Sequence, residues 1–147
     1  AIDLVISSNN LGVITTDDKY IRLFNHPRSS VETLISQGFI PAMEQLGDML
    51  GVECQLGSNY PGWEYAKESE IRDICIEVYR DKFKKEPLVG AIHAGLECGL
   101  LMDKIKGLDA ISMGPDAYDA HSPNEHVSIS SVENIYNLLC EILKRIK

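Results

Sequence analysis

Hydrophobic positions along the chain change period from segment to segment. Residues 2–8 alternate apolar and polar side chains, residues 11–16 continue extended, and Asp17 and Asp18 punctuate before Tyr20, Arg22 and Phe24 alternate against Ile21 and Leu23. A two-residue period sends successive side chains to opposite faces, so this stretch predicts an antiparallel pair or trio with a tight turn at Asp17-Asp18. Ser29 and Glu32 have the spacing of a capping box, which starts a helix near Ser30. Val31, Leu34, Ile35, Ala42, Met43, Leu46, Met49 and Leu50 then follow at helical spacing. Pro41 lacks the amide that would bond to Gln37, so with Gly38 it bends or breaks that helix, and Gly51 ends it. Val52, Cys54 and Leu56 alternate as a closing strand.

Residues 57–62 are rich in turn formers and mark a joint. Beyond it, residues 68–84 place Ile71, Ile74, Cys75, Val78 and Tyr79 on one helical face. Two short apolar runs, 88–92 and 108–113, are bounded by glycine and proline as buried strands are, and residues 96–106 between them suit a short helix. A second capping box, Ser130 and Glu133, opens a final helix. Its stripe is Val132, Ile135, Tyr136, Leu139, Ile142, Leu143 and Ile146, and Lys144, Arg145 and Lys147 suit its negative end. The predicted class is α/β. Residues 1–58 form an α+β half in which one helix covers an antiparallel sheet; residues 59–147 form an α/β segment ordered helix, strand, helix, strand, helix.

Composition narrows the partners. At 147 residues and 44% hydrophobic, the chain is long enough for a substantial core, and a net charge of −8 argues against nucleic acid. No apolar run approaches the roughly 20 residues of a membrane span, and no basic-then-apolar leader is present, which points to the cytosol. Cys54, Cys75, Cys98 and Cys140 are scattered without a Cys-x-x-Cys pair and read as buried reduced thiols. The chain opens at Ala1 directly in an alternating pattern and reads as a piece of a longer protein.

In an open α/β sheet, ligands gather beyond the carboxyl ends of the strands, which selects the loops 93–97 and 114–125. These hold His93, His121, Glu97, Asp116, Asp119 and Glu125. His121 precedes Ser122-Pro123 in a polar loop; by chemistry it suits a zinc ligand or an exposed imidazole. Glu97 sits where a helix begins, so it either complements the helix dipole or faces a ligand. His93 suits a core position or a supporting partner of a ligand. Arg28 beside His26 and Pro27 has a guanidinium fork suited to a carboxylate, or is a surface arginine. Asn10 offers amide hydrogen bonds, and Trp63 in Tyr-Pro-Gly-Trp reads as a packing residue.

HAGLECG at 93–99 followed by HSPNE at 121–125, with SSNNLG at 7–12, RSSVE at 28–32 and YPGW at 60–63, resembles the C-terminal part of aminoacyl-histidine dipeptidases. These are cytosolic exopeptidases of the dinuclear-zinc family. The resemblance implies that residues 1–58 are the latter half of a lid or dimerisation domain and 59–147 the closing segment of a catalytic domain. It also implies that His121 ligates one of two zinc ions, Arg28 holds the substrate's C-terminal carboxylate, Glu97 meets its ammonium group, and Asn10 assists. A small dipeptide is the implied substrate and a homodimer through the lid domain the implied assembly. The family takes its remaining ligands and its glutamate base from an H-x-D segment, a later aspartate and a Glu-Glu pair. This chain contains no H-x-D and no Glu-Glu, so no catalytic residue is expected in it and the chain alone is expected to be inactive. A non-catalytic α+β binding or dimerisation module and a deacylase of the same family are the rival readings.

Overall fold

A computed structural model describes residues 5–57, 60–93 and 96–146, so Ile2 and Leu4 of the first alternating stretch, Ser58 and Asn59 of the joint, Gly95 and Lys147 lie outside the described residues. The expected mixture of helices and antiparallel strands is what the chain forms. It divides into two compact units, Ala1–Ala66 with Gly90–Lys106, and Lys67–Val89 with Gly107–Lys147.

In the first unit, β1 (Ser7–Thr16) and β2 (Ile21–Ser29) pair antiparallel as one long ribbon. The turn between them is held by Asp17, whose carboxylate accepts the amides of Lys19 at 2.8 Å and Tyr20 at 2.9 Å and pairs with Arg22. The Lys19 amide, the Arg22 guanidinium and the Tyr20 amide together hold the Asp17 carboxyl below the usual range. Register runs evenly from Ser7↔Ser29 to Leu11↔Asn25 and then steps to Val13↔Phe24, which makes Gly12 the extra residue of a β-bulge.

The predicted helix is present, but its start is capped differently. Ser29 Oγ accepts the amide of Val31 at 3.0 Å, not that of Glu32, and donates to the Ile6 carbonyl at 3.1 Å. Pro41 does not break the helix. A π-helical stretch, Leu34–Phe39, precedes α1 (Ile40–Leu50), and the Ile40 amide reaches back to the Ile35 carbonyl. Widening the helix just ahead of the proline accommodates the missing amide and relieves the clash of its ring with the carbonyl four residues back. Gly51, at φ 68°, closes the helix with the Val52 amide on the Gly47 carbonyl and its own on Asp48, a Schellman ending. The expected closing strand at Val52, Cys54 and Leu56 does not form among the described residues, where these positions have no ladder partner and remain exposed. Later in this unit α3 (Glu97–Lys104) forms where a short helix was expected.

The second unit is built on α2 (Glu70–Phe83) and α4 (Ile129–Arg145). Cys75 and Val78 meet Leu138 and Ile142 in a buried cluster flanked by Ile71, Ile74, Tyr79, Phe83, Ile111 and Ile135. Arg145 pairs with Asp81 where the two helices end and holds that carboxyl below its ordinary range. The α4 stripe splits: Ile135 and Ile142 turn inward, joined by Leu138, which the expected stripe leaves out, while Val132, Tyr136, Leu139, Leu143 and Ile146 stay exposed. Ser128, rather than Ser130, caps α4 by accepting the Ser131 amide. The runs 88–92 and 108–113 are not strands; Leu88 is 96% exposed, and no ladder reaches either run among the described residues. The pairing in this half is instead a small antiparallel hairpin, β3 (Ala117–Tyr118) with β4 (His126–Val127). Of the four thiols, none is in a disulfide; Cys75 is buried, which raises its pKa, whereas Cys54, expected inside, is exposed. Among the described residues no helix is long and apolar enough to cross a membrane.

A carboxylate closes the start of α2. Asp109 accepts the Ser69 hydroxyl at 2.7 Å and the Ile71 amide at 3.0 Å, while Ser69 accepts the Arg72 amide at 3.2 Å. Desolvation pushes the Asp109 carboxyl up, but these hydrogen bonds, one from Glu70 and the charge of Arg72 outweigh it and leave it below its ordinary value. Two outcomes follow. Ile142→Ala should cost about 2–4 kcal/mol in denaturant unfolding, against less than about 1 kcal/mol for the exposed Tyr136→Ala. Asp109→Asn should cost about 1 kcal/mol near pH 7, a figure that allows for solvent screening at an exposed carboxylate. Because the folded carboxyl titrates lower than the unfolded one, that difference should persist above pH 4 and vanish as the pH falls through the folded value.

Candidate functional site

The β1–β2 ribbon sorts its side chains by parity. Ser8 stands opposite Arg28 and Asn10 opposite His26, and directly opposed residues share a face of a two-stranded ladder. Ser8, Asn10, Gly12, His26 and Arg28 line a shallow concavity of about 420 Å³. Of the residues singled out in the sequence, Arg28 and Asn10 are thus brought together, while Glu97 is not in this lining. Ser8 and His26 join them; their sequence signal is the two-residue period that carries Arg28 and Asn10. His93 reaches the same ribbon, its Nε2 lying 2.8 Å from Ser8 Oγ, and is half-buried rather than a core histidine. Neither carboxylate nor carbonyl pairs with the Arg28 guanidinium among the described residues, and no acid lines the concavity. A guanidinium, an imidazole and an amide with no acid among the described residues lining the concavity are suited to an anion such as a carboxylate.

Glu97 opens α3 with an exposed side chain, in the turn where a negative charge meets the positive end of the helix dipole. The helix is set in place by close backbone packing. A Cβ on Gly99 would meet the Pro61 carbonyl at 3.2 Å and Trp63 Cβ at 3.4 Å, and one on Gly62 would meet the Ser30 carbonyl at 2.7 Å. Trp63 is accordingly a packing residue, lining a second concavity of about 580 Å³ with Met102 and the acids Glu32, Glu64 and Asp103.

In the second unit His121 lies in the loop of the β3–β4 hairpin. Asp119 at φ 53° and His121 at φ 65° both adopt the left-handed conformation, which costs a non-glycine residue of order 1 kcal/mol and is retained only where the surroundings dictate it. Here they do: the Ser122 amide bonds to the Asp119 carbonyl at 3.1 Å, the Glu125 amide to the Ser122 carbonyl at 3.1 Å, and the His121 amide to Glu125 Oε2 at 3.3 Å. His126 stacks on Tyr118, with ring centroids 5.1 Å apart, and its Nδ1 lies 2.8 Å from the Asn124 carbonyl. The loop is thus closed by its own backbone and leaves the His121 imidazole exposed, with no hydrogen-bond partner among the described residues. An imidazole is a good zinc donor, but one donor does not make a site, and among the described residues no group of three or more His, Cys, Asp or Glu could hold a metal ion.

A guanidinium-bearing ribbon face and a histidine fixed on a tight loop are the features the sequence resemblance singled out, and comparison with known proteins gives them a family. Residues 12–145 match the sequence profile of peptidase family M20/M25/M40, and the chain belongs to that family. It is 35% identical over 144 residues to the cytosol non-specific dipeptidase of Escherichia coli (strain K12), an alignment that takes in 97% of this chain. It also superposes on the crystal structure of aminoacylhistidine dipeptidase from Vibrio alginolyticus with a TM-score of 0.80, at 31% identity and over 98% of the chain. The chain spans 29% of the length of each of these relatives.

The close approach at Gly62 gives a direct check on the packing of this segment against the backbone of Ser29 and Ser30. Gly62→Ala should lower stability by about 1–3 kcal/mol, since backbone rather than a movable side chain blocks the new methyl. Gly57→Ala, which meets open space, should leave the unfolding midpoint nearly unchanged. Equal midpoints for the two variants would contradict the packing.

Proposed function

We propose that the chain is the C-terminal portion of a zinc-dependent cytosolic dipeptidase that hydrolyses aminoacyl-histidine and related dipeptides. In this reading residues 1–58 are the latter half of a lid or dimerisation domain through which the enzyme forms a homodimer, and residues 59–147 are the closing segment of the catalytic domain. Family membership, the activities of the relatives and Arg28, which has no partner among the described residues and stands on a polar ribbon face, support it. The last is the observation that carries the reading: a guanidinium with no counter-charge among the described residues offers two parallel hydrogen bonds to a carboxylate, the group every dipeptide presents at its C-terminus. Asn10 adds an amide beside it. Glu97 takes the ammonium end of the substrate from its exposed place in the first turn of α3.

His121 supplies one imidazole to a two-zinc centre whose other ligands come from the remainder of the protein. A zinc centre completed in this way would supply Lewis-acid chemistry at the peptide carbonyl. The residues of this chain bind and orient the substrate and contribute no general base. The chain on its own is therefore inactive.

Two variants of the complete enzyme test this. His121→Ala should lower the bound zinc, measured by elemental analysis, and an unchanged zinc content would remove His121 from the metal site. Arg28→Met should reduce kcat/KM for an aminoacyl-histidine roughly 30-fold, mainly through KM, the loss expected for charge-assisted hydrogen bonds worth about 2 kcal/mol.

A further inference from the structure

The polar ribbon face holds a second feature that the carboxylate clamp does not use. Gly12 is the extra residue of the β-bulge, and a Cβ there would fall 3.1 Å from His26 Cδ2, 3.6 Å from His26 Nε2 and 3.4 Å from Asn10 Nδ2. The bare glycine is what lets the His26 ring lie across the ribbon, against Asn10 and two residues from Arg28 on the same strand face. Bulges commonly re-aim a side chain beside a site, and this one clears the floor beneath an imidazole. Neither ring nitrogen of His26 is engaged among the described residues, although the ring borders the concavity. Two residues along a strand are about 6.6 Å, a span that a flexible arginine crosses readily, so a carboxylate in the fork of Arg28 also comes within reach of an imidazole N–H.

We propose that His26 is a specificity-determining residue that donates a second hydrogen bond to the substrate carboxylate held by Arg28, and that Gly12 is the positioning residue that seats its ring. This rests on the carboxylate reading of Arg28. Arg28 supplies charge, which any anion satisfies. His26 supplies a fixed direction, so the pair favours a planar carboxylate over a C-terminal amide, whose –NH2 would face a donor.

The test uses the complete enzyme with an aminoacyl-histidine dipeptide and the same dipeptide as its C-terminal amide, the latter measured as a competitive inhibitor. His26→Ala should raise KM for the free dipeptide roughly fivefold, the size expected for one hydrogen bond, with kcat within twofold of the parent and the inhibition constant of the amide unchanged. Gly12→Ala should move KM in the same direction, and His26→Gln, which keeps an N–H donor, should recover part of the loss. A KM for His26→Ala within twofold of the parent, while Arg28→Met raises it strongly, overturns the role of His26 and leaves the clamp standing. A KM unchanged in both variants overturns the clamp as well. Equal weakening of the free dipeptide and the amide by His26→Ala also overturns the proposal, because it marks a general packing role.

Discussion

The hydrogen-bond ladder of β1 and β2 is the constraint on which the candidate substrate face depends. An antiparallel register allows each residue one face only, and a slip of one position would move Ser8, Asn10, His26 and Arg28 to the opposite side together. Two local devices resist that slip. Asp17 ties the turn at one end through two amides and Arg22, and at the other Ser29 and Ser30 bond back to the Ile6 carbonyl. Between them the bulge at Gly12 absorbs an extra residue without reversing the pairing on the Arg28 side. The polar face is therefore a consequence of backbone pairing, not of side-chain packing, which explains how it exists on a ribbon whose side chains are mostly exposed.

The second unit reaches order by another route. Two amphipathic helices bury a narrow cluster, and carboxylate and hydroxyl caps finish their ends: Asp109 and Ser69 at α2, Ser128 and Ser131 at α4. Ser131 Oγ also accepts the Asp116 amide at 2.9 Å, and the Ser128 amide bonds to the Asp116 carbonyl at 3.0 Å, so the start of α4 is fastened to the hairpin that carries His121. The left-handed residues of that loop are held by this closure. The His121 imidazole thus stands on a loop set by the loop's own hydrogen bonds and has no ring partner among the described residues.

Local signals were legible in the sequence and long-range ones were not. The turn at Asp17, the end of the helix at Gly51, the inward face of α2 and the start of α3 all depend on residues within a few positions of one another, and each is where its residue types put it. Caps were read from a spacing that several serines satisfy, so Ser29 bonds Val31 and Ser128 takes the place expected for Ser130. The runs 88–92 and 108–113 have the composition of buried strands, yet a strand exists only with a ladder partner, and none reaches them among the described residues. The same holds for Val52, Cys54 and Leu56, while the outer stripe of α4 at Val132, Tyr136, Leu139 and Leu143 is exposed on a helix that forms where its period puts it. Their apolar character was read correctly; what covers each one is not encoded in its own segment. For the candidate site, Arg28 and Asn10 came from recognisable motifs, whereas His26 depended on register, which composition does not reveal.

A crystal structure of the complete peptidase with a non-hydrolysable dipeptide analogue bound is the most direct measurement of whether the ribbon face receives substrate. The predicted result is the analogue's C-terminal carboxylate in the fork of Arg28, on the side of the ribbon that carries Asn10 and His26. A carboxylate held elsewhere, with Arg28 facing solvent, would contradict it.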